Sequence, residues 1–492
     1  MIKDGLYYAS QFQKKKISVP EWIDERNRLV KEQNPQLNAF VEWLPEMAKQ
    51  QYATKAAKET AATEGPFQGL PIPLKMLGQD KKGMKSTSGS RLFTENVASA
   101  TDNFVKKLEL AGLTPLGKTT APEFGFKNVS DPVIYGPARN PWNLDYSPGG
   151  SSGGAAAAVA SGLFPLAGAS DGGGSIRIPA SFSGLIGLKP TRGSMPVGPG
   201  GWRGWQGASI DFALTVSMRD TEALFYQLRG TSKAAPYQTP QAEWQHQEAA
   251  NKKRLKIAFL TESPVGTPVS DEAEQAVHEA VQFLEEQGHE VTQIAYPVDG
   301  RQLIDSYYLM NGAETASMFE GIRLGLGRPL TYADMEPMTW GIYQYGLQLP
   351  ASQYVRALQL WDKAANTMEQ LFEEYDLFLT PTAADSAPRI DQDLQSDHIR
   401  RELANAEGKS AAKLSELIYQ MFEKSLAITP YTQLANLTGQ PAISLPTHVT
   451  KAGLPLGIQF MASKGREDLL LQVGQLFERE EKFKLPKYYR EA

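Results

Sequence analysis

The sequence predicts an α/β protein built on a single large mixed, mostly parallel, twisted β-sheet with helices on both faces. Two observations carry that expectation. Helix-period and strand-period segments alternate along the chain, and one βαβ unit is complete. Leu255 to Thr261 reads as a strand, Ser270-Asp271 cap a helix that runs to Gln287 and stops at Gly288, and Glu290 to Ala295 reads as the next strand. Such a unit normally crosses over right-handed between parallel strands. At 492 residues the chain exceeds an average domain of roughly 150 residues, but one big open sheet accommodates that length, so one large domain is expected.

The remaining elements follow in order. Residues 1–65 read as a helical entry, with Ser18 as N-cap, Pro20 in the first turn and Glu21 at the positive helix end. Residues 66–230 hold the glycine-rich segments treated below. Within them Gly69 to Lys75 is a short, apolar, Pro-punctuated strand that leaves Lys75 between Leu74 and Met76. Thr101 to Ala111 reads as a helix with an apolar face of Val105, Leu108 and Ala111 and a stop at Gly112, and Leu113 to Gly117 as a strand. Residues 125–154 are rich in Gly, Pro, Asn and Ser and read as a loop. Ala155 to Ala169 is expected to be a buried helix leading into a loop. It is shorter than the ~18 residues that cross a bilayer and is interrupted by Pro165.

Residues 231–254 read as a polar surface linker, and residues 255–492 as the half that completes the sheet and the pocket. In that half, 300–375 is mostly helical, Leu377 to Thr380 and Ala442 to Leu445 are strands, a hairpin-like segment runs through Gln459, and Asp468 to Phe477 is a helix.

Composition excludes several functions. The net charge is −5 with no long run of one sign, so no nucleic-acid or membrane partner is expected. The lack of cysteine removes disulfides, thiolate metal sites and a cysteine nucleophile. Near the N-terminus no apolar stretch of signal-peptide type occurs, and the expected location is cytoplasmic.

The most informative segments are Ser147-Pro-Gly-Gly-Ser-Ser-Gly-Gly154 and Asp171-Gly-Gly-Gly-Ser-Ile-Arg177, two glycine-rich serine loops on either side of an apolar helix. Glycines allow successive backbone N–H groups to converge on one oxygen, as a developing oxyanion requires. They also form plain tight turns. A phosphate cradle is disfavoured, because Gly78 to Gly83 is followed by Met84 where the Walker pattern needs Lys. Gly149-Gly-Ser-Ser-Gly153 also matches the G-x-S-x-G pattern, whose serine needs a histidine base. Of the five histidines only His448 follows a strand-like segment, and no motif positions an acid beside it. A lysine can serve instead if burial makes it neutral, and Lys75 has the apolar neighbours for that, although a lysine in such a place is often a snorkelling surface residue.

Gly69-Leu-Pro-Ile-Pro-Leu-Lys75, the two serine loops and Pro179-Ala-Ser-Phe-Ser-Gly-Leu-Ile-Gly-Leu-Lys-Pro-Thr191 together resemble the amidase signature family in order and spacing over most of the chain. The resemblance implies an amidohydrolase acting on a small-molecule amide, with no metal and no cofactor, as a monomer or homodimer. It implies Lys75 as base, Ser151 as bridging serine on a cis peptide bond, and Ser175 as acyl-forming nucleophile. Gly172, Gly173 and Gly174, with the Ser175 N–H, would form the oxyanion hole. Ser152, Asp171 and Arg177 are expected to support the loops.

Two departures from the family pattern, Met76 after the base and Gly172 before Gly-Gly-Ser, are expected to reshape the pocket. Asn140-Pro-Trp-Asn-Leu144, Gly439-Gln-Pro-Ala-Ile-Ser-Leu-Pro446 and Gly465 to Gln472 are similar to the branch containing the 6-aminohexanoate-cyclic-dimer hydrolase, which implies small linear or cyclic amides with aliphatic arms. Phe124 and Asn311 are the expected pocket residues. The alternatives are a glutamine-dependent amidotransferase subunit and a catalytically silent binding protein on the same scaffold.

Overall fold

The computed structural model describes residues 2–57, 65–239 and 254–490. Residues 58–64 of the helical entry and 240–253 of the linker lie outside it. Eleven strands are formed among the described residues: β1 (Phe40–Trp43), β2 (Pro71–Lys75), β3 (Thr114–Thr119), β4 (Ala167–Asp171), β5 (Ile186–Lys189), β6 (Ile210–Thr215), β7 (Lys256–Phe259), β8 (Glu290–Gln293), β9 (Leu377–Pro381), β10 (Ala442–Val449) and β11 (Pro455–Met461). Eight of them make one sheet in the order β4-β6-β5-β10-β11-β9-β7-β8, and β1-β3-β2 make a small second sheet.

The large sheet is mixed, as expected, and helices surround it. Its parallel pairs, however, are confined to the edge β9-β7-β8, where the βαβ unit lies. The other neighbours pair antiparallel. Local patterns detect the crossover helix of a parallel unit. They do not reveal which way two distant strands run, and the short Thr450 to Leu454 link between β10 and β11 permits only a hairpin.

Two segments differ from the local reading. The helical entry is broken by β1: Asn38, with φ 46°, ends the helix Val19–Leu37, and Phe40 to Trp43 then pair with β3. The buried helix expected within Ala155 to Ala169 is present, but the loop expected after it gives way to a strand. The structure has a helix at Gly153–Ala160 and then β4, whose Ala-Gly-Ala-Ser-Asp sequence is extended because β6 pairs with it. Small residues carry little strand preference of their own, so the partner decides.

The helix Gly153–Ala160 is buried on every side, which its alanines and glycines allow. It lies in the main apolar core with residues from both sheets. A second core joins the helices Gly300–Leu326, Pro337–Leu347 and Ala411–Ile428 and includes Phe124 and Phe126. The two serine loops open toward this second core.

Candidate active site

β2 is apolar and wholly buried, and Lys75 is its last residue. The side chain is 0% exposed. Its Nζ lies 2.7 Å from Ser151 Oγ, 2.8 Å from Ser170 Oγ and 3.3 Å from the Ser170 carbonyl oxygen. Burial lowers the Lys75 ammonium to about 7, against the opposing charges of Asp211 and Asp171. Gln79 fixes the end of the strand, accepting from Lys75 N–H at 3.0 Å and donating to the Ala169 carbonyl at 2.9 Å.

Ser151 follows Gly149, with φ 90°, and a cis Gly150–Ser151 peptide. Its carbonyl accepts from Ser130 Oγ at 3.2 Å, and the same Oγ accepts from Gly153 N–H at 3.0 Å, so one hydroxyl braces the turn before the helix. Ser152 Oγ donates to the Ser170 carbonyl at 3.3 Å and accepts from Ser170 N–H at 3.4 Å, stitching the first serine loop to β4.

Asp171 and Arg177 are both fully buried and form a two-point ion pair at 3.0 Å per contact. Asp171 also accepts from Asn436 Nδ2 at 2.8 Å and from Ile176 N–H at 3.2 Å. Arg177 completes its donations on Gln459 and Asn436, each at 2.6 Å. Burial pushes the Asp171 carboxyl up, but the charge and hydrogen bonds of Arg177 outweigh it and hold the group well below the usual carboxylate range.

This network corrects the expected role of Gly174. Its N–H donates to Asp171 Oδ1 at 2.7 Å, so it braces the turn and is not available to an oxyanion. Gly174 has φ 129°, and a Cβ there would stand 2.3 Å from Thr432 Oγ1. Gly172, Gly173 and Ser175 line the cavity.

Ser175 is half-buried and lines a cavity of about 350 Å³ together with Ser151, Ser170, Gly172 and Gly173. Phe124 lines the same cavity with Phe126, Trp205 and Met318. Asn311 lies in a narrow adjoining space of about 60 Å³ that also reaches Ser175. Asp211 borders the larger cavity, and burial, then repulsion from Asp102, pushes its carboxyl up to about 7.

Both departures have a structural counterpart. Met76 is buried, with its sulfur accepting from Thr87 N–H at 3.4 Å. At Gly172 a Cβ would stand 3.3 Å from the Trp205 ring, so the missing side chain leaves room for the indole. Trp205 has φ 51° and stacks on Phe126 at 5.9 Å between ring centres.

His448 is occupied elsewhere. Its two ring nitrogens face Glu272 at 2.8 Å and Glu279 at 3.2 Å, on the helix Asp271–Glu286. Sequence reasoning did not single out Ser170, Gln79, Asn436, Trp205 or Asp211. Ser170 immediately precedes Asp171, and Asn436 lies three residues before Gly439, which were the available signals. The other three reach the site only through the fold. Among the described residues no group of His, Asp or Glu could hold a metal ion, and no helix is long and apolar enough to cross a membrane.

Fold and sequence together mark the chain as an amide hydrolase of the amidase class. The family model described as Amidase matches residues 27–471, and the chain belongs to the amidase signature family. A lipoamidase of Enterococcus faecalis is 39% identical over 98% of this chain, which spans 64% of that protein's length. A 6-aminohexanoate-cyclic-dimer hydrolase of Paenarthrobacter ureafaciens is 33% identical over 97% of this chain and 94% of its own. The solved structure of a 6-aminohexanoate cyclic dimer hydrolase complexed with substrate superposes with a TM-score of 0.86 at 32% identity, covering 98% of both chains.

Proposed function

We propose that the chain hydrolyses carboxamides of small linear or cyclic substrates through an acyl-enzyme on Ser175, with Lys75 as base and Ser151 relaying protons. One observation carries this reading: a fully buried lysine, lowered to about 7, whose Nζ is 2.7 Å from the hydroxyl of Ser151. A neutral amine has two N–H donors and one lone pair. Ser170 Oγ and the Ser170 carbonyl take the two donations, which leaves the lone pair for the Ser151 hydroxyl.

In the proposed cycle, Ser151 passes its proton to Lys75 and receives that of Ser175 as Ser175 Oγ attacks the amide carbonyl. The oxyanion is received by the N–H groups of Gly172, Gly173 and Ser175. The ammonium of Lys75 then returns a proton through Ser151 to the departing nitrogen. Water, deprotonated by the same relay, releases the acid. The Asp171 and Arg177 pair holds the oxyanion turn and does not itself react.

Phe124, Phe126, Trp205 and Met318 line a cavity suited to an aliphatic arm. This agrees with the aliphatic amides named for the cyclic-dimer hydrolases and with the lipoyl amide implied by the name of the lipoamidase. The test is peptide mass mapping after treatment with a fluorophosphonate, on wild type and Ser175→Ala. Modification at Ser175 that disappears in the variant is expected. Modification at Ser151 would overturn the assignment of the nucleophile.

A further inference from the structure

Two spaces meet at Ser175, and a third adjoins the second of them. The aromatic cavity of about 350 Å³ and the narrow space of about 60 Å³ share Gly125, Phe126, Gly173, Ser175 and Tyr307. On its far side the narrow space shares Lys127, Asn128, Phe422 and Ser425 with a third cavity of about 450 Å³. The two large cavities differ in chemistry. The first is faced by Phe124, Phe126, Trp205 and Met318 and also by Asp211 and Glu314, whereas the third carries ion pairs at its border, Lys127 with Asp131 and Glu336, Arg389 with Asp391 and Arg400 with Asp393. Ser175 therefore stands in a continuous cleft with an aromatic-walled arm on one side and an arm with a polar, ion-paired rim on the other, joined by a throat.

The throat contains one unsatisfied group. Gln433 is 9% exposed, and its Oε1 has no hydrogen-bond partner, while its Nε2 donates to the Thr429 carbonyl at 3.0 Å. A buried carbonyl oxygen without a partner is costly, and Gln433 borders the narrow space of about 60 Å³. Gln433 is also held in register with the oxyanion turn, because Thr432 Oγ1 donates to the Gly173 carbonyl at 2.7 Å. Its neighbours in the throat are fixed: Asn128 Nδ2 donates to the Ser425 carbonyl at 3.0 Å and to Thr429 Oγ1 at 2.9 Å.

We propose that the throat is an amide-recognition site, in which Gln433 Oε1 accepts the N–H of a secondary amide while the two arms of the substrate occupy the cavities on either side. The acyl arm lies against Phe124, Phe126 and Trp205. The amine arm passes Gln433 into the polar-rimmed cavity. A primary amide has no second arm and leaves the throat and the polar cavity unfilled. This assignment rests on Ser175 as nucleophile.

The experiment compares N-(6-hydroxyhexyl)hexanamide with its ester counterpart 6-hydroxyhexyl hexanoate, which has the same arms but no N–H. Steady-state rates are measured for wild type, Gln433→Met, Gln433→Glu and Ser175→Ala, each checked for folding by thermal melting. Gln433→Met is expected to lower kcat/KM for the amide about tenfold, mainly through KM, and to change the ester less than about twofold. Gln433→Glu keeps an acceptor but loses the donor to the Thr429 carbonyl, so its kcat/KM for the amide is expected to fall between those of wild type and Gln433→Met. Equal effects of Gln433→Met on amide and ester, or none on either, would overturn the role of Gln433. Wild-type turnover of hexanamide equal to that of the secondary amide, or turnover of neither arm-bearing compound while Ser175 still takes a fluorophosphonate, would overturn the two-armed cleft. Undiminished turnover by Ser175→Ala would instead overturn the nucleophile assignment.

Discussion

Lys75 Nζ and Ser151 Oγ stand 2.7 Å apart, joining the end of β2 to the first serine loop across 76 residues of chain. The lysine has no carboxylate in direct contact and sits where burial favours its neutral form. That is what a lysine base requires near neutral pH.

The first prediction concerns pH. The reactive form of Lys75 is the deprotonated one, so kcat/KM should rise with pH through about 7 and then level. A stopped assay from pH 5 to 9, with chemistry limiting, reads this directly, and a flat profile would remove Lys75 as base.

Asp211 offers a second handle on the same profile. Its charge raises Lys75 against the effect of burial. Asp211→Asn removes that charge, disfavours the ammonium and should move the rising limb to lower pH. An unchanged or alkaline-shifted midpoint would contradict the coupling.

Replacing Lys75 by Met should reduce kcat about 100- to 10,000-fold. It should also alter stability in a pH-dependent way. Lys75 holds its proton less tightly folded, at about 7, than unfolded, at its ordinary value of 10.5. Between those values the unfolded chain binds more protons, so wild-type stability gains with rising pH relative to Lys75→Met. Denaturant titrations of both proteins at pH 7 and pH 10 should show the difference shifting in favour of wild type.

The Asp171 and Arg177 pair should behave as a structural unit. Arg177→Leu leaves a fully buried carboxylate without its cation and should cost about 3–5 kcal/mol of stability, seen as a lower melting temperature. A melting temperature equal to wild type would show that Asn436 and the turn N–H groups suffice.

Gly172→Ile should disturb the pocket through Trp205, because the new Cβ would lie 3.3 Å from the indole. KM for a hexanoyl amide is expected to rise, and Trp205→Ala in the same chain should relieve part of the effect. Simple additivity of the two substitutions would separate them.

The two glycine-rich serine loops stood out because the backbone itself requires an unusual sequence. Three glycines before Ser175 and the pairs around Ser151 have no ordinary role in a strand or helix, so they mark turns built for close approach. Strongly periodic helices such as Asp271–Glu286 were legible for the same local reason, down to the Ser270 cap that accepts from Ala273 N–H. β1 and β4 were not, since short extended segments gain their stability from partners far along the chain.

Sequence alone therefore marked the candidate residues, through their resemblance to the amidase signature family, and a large mixed α/β sheet to carry them. It did so because glycine turns, caps and apolar periodicity are local constraints. Only the tertiary structure decided that Gly174 N–H serves Asp171, that Trp205 fills the space above Gly172, and that Gln433 faces the throat beside Ser175. Each of those depends on the direction of a donor or the filling of a space by a segment remote in sequence. Pairwise geometry of that kind is fixed by packing, not by the pattern of residues along one strand.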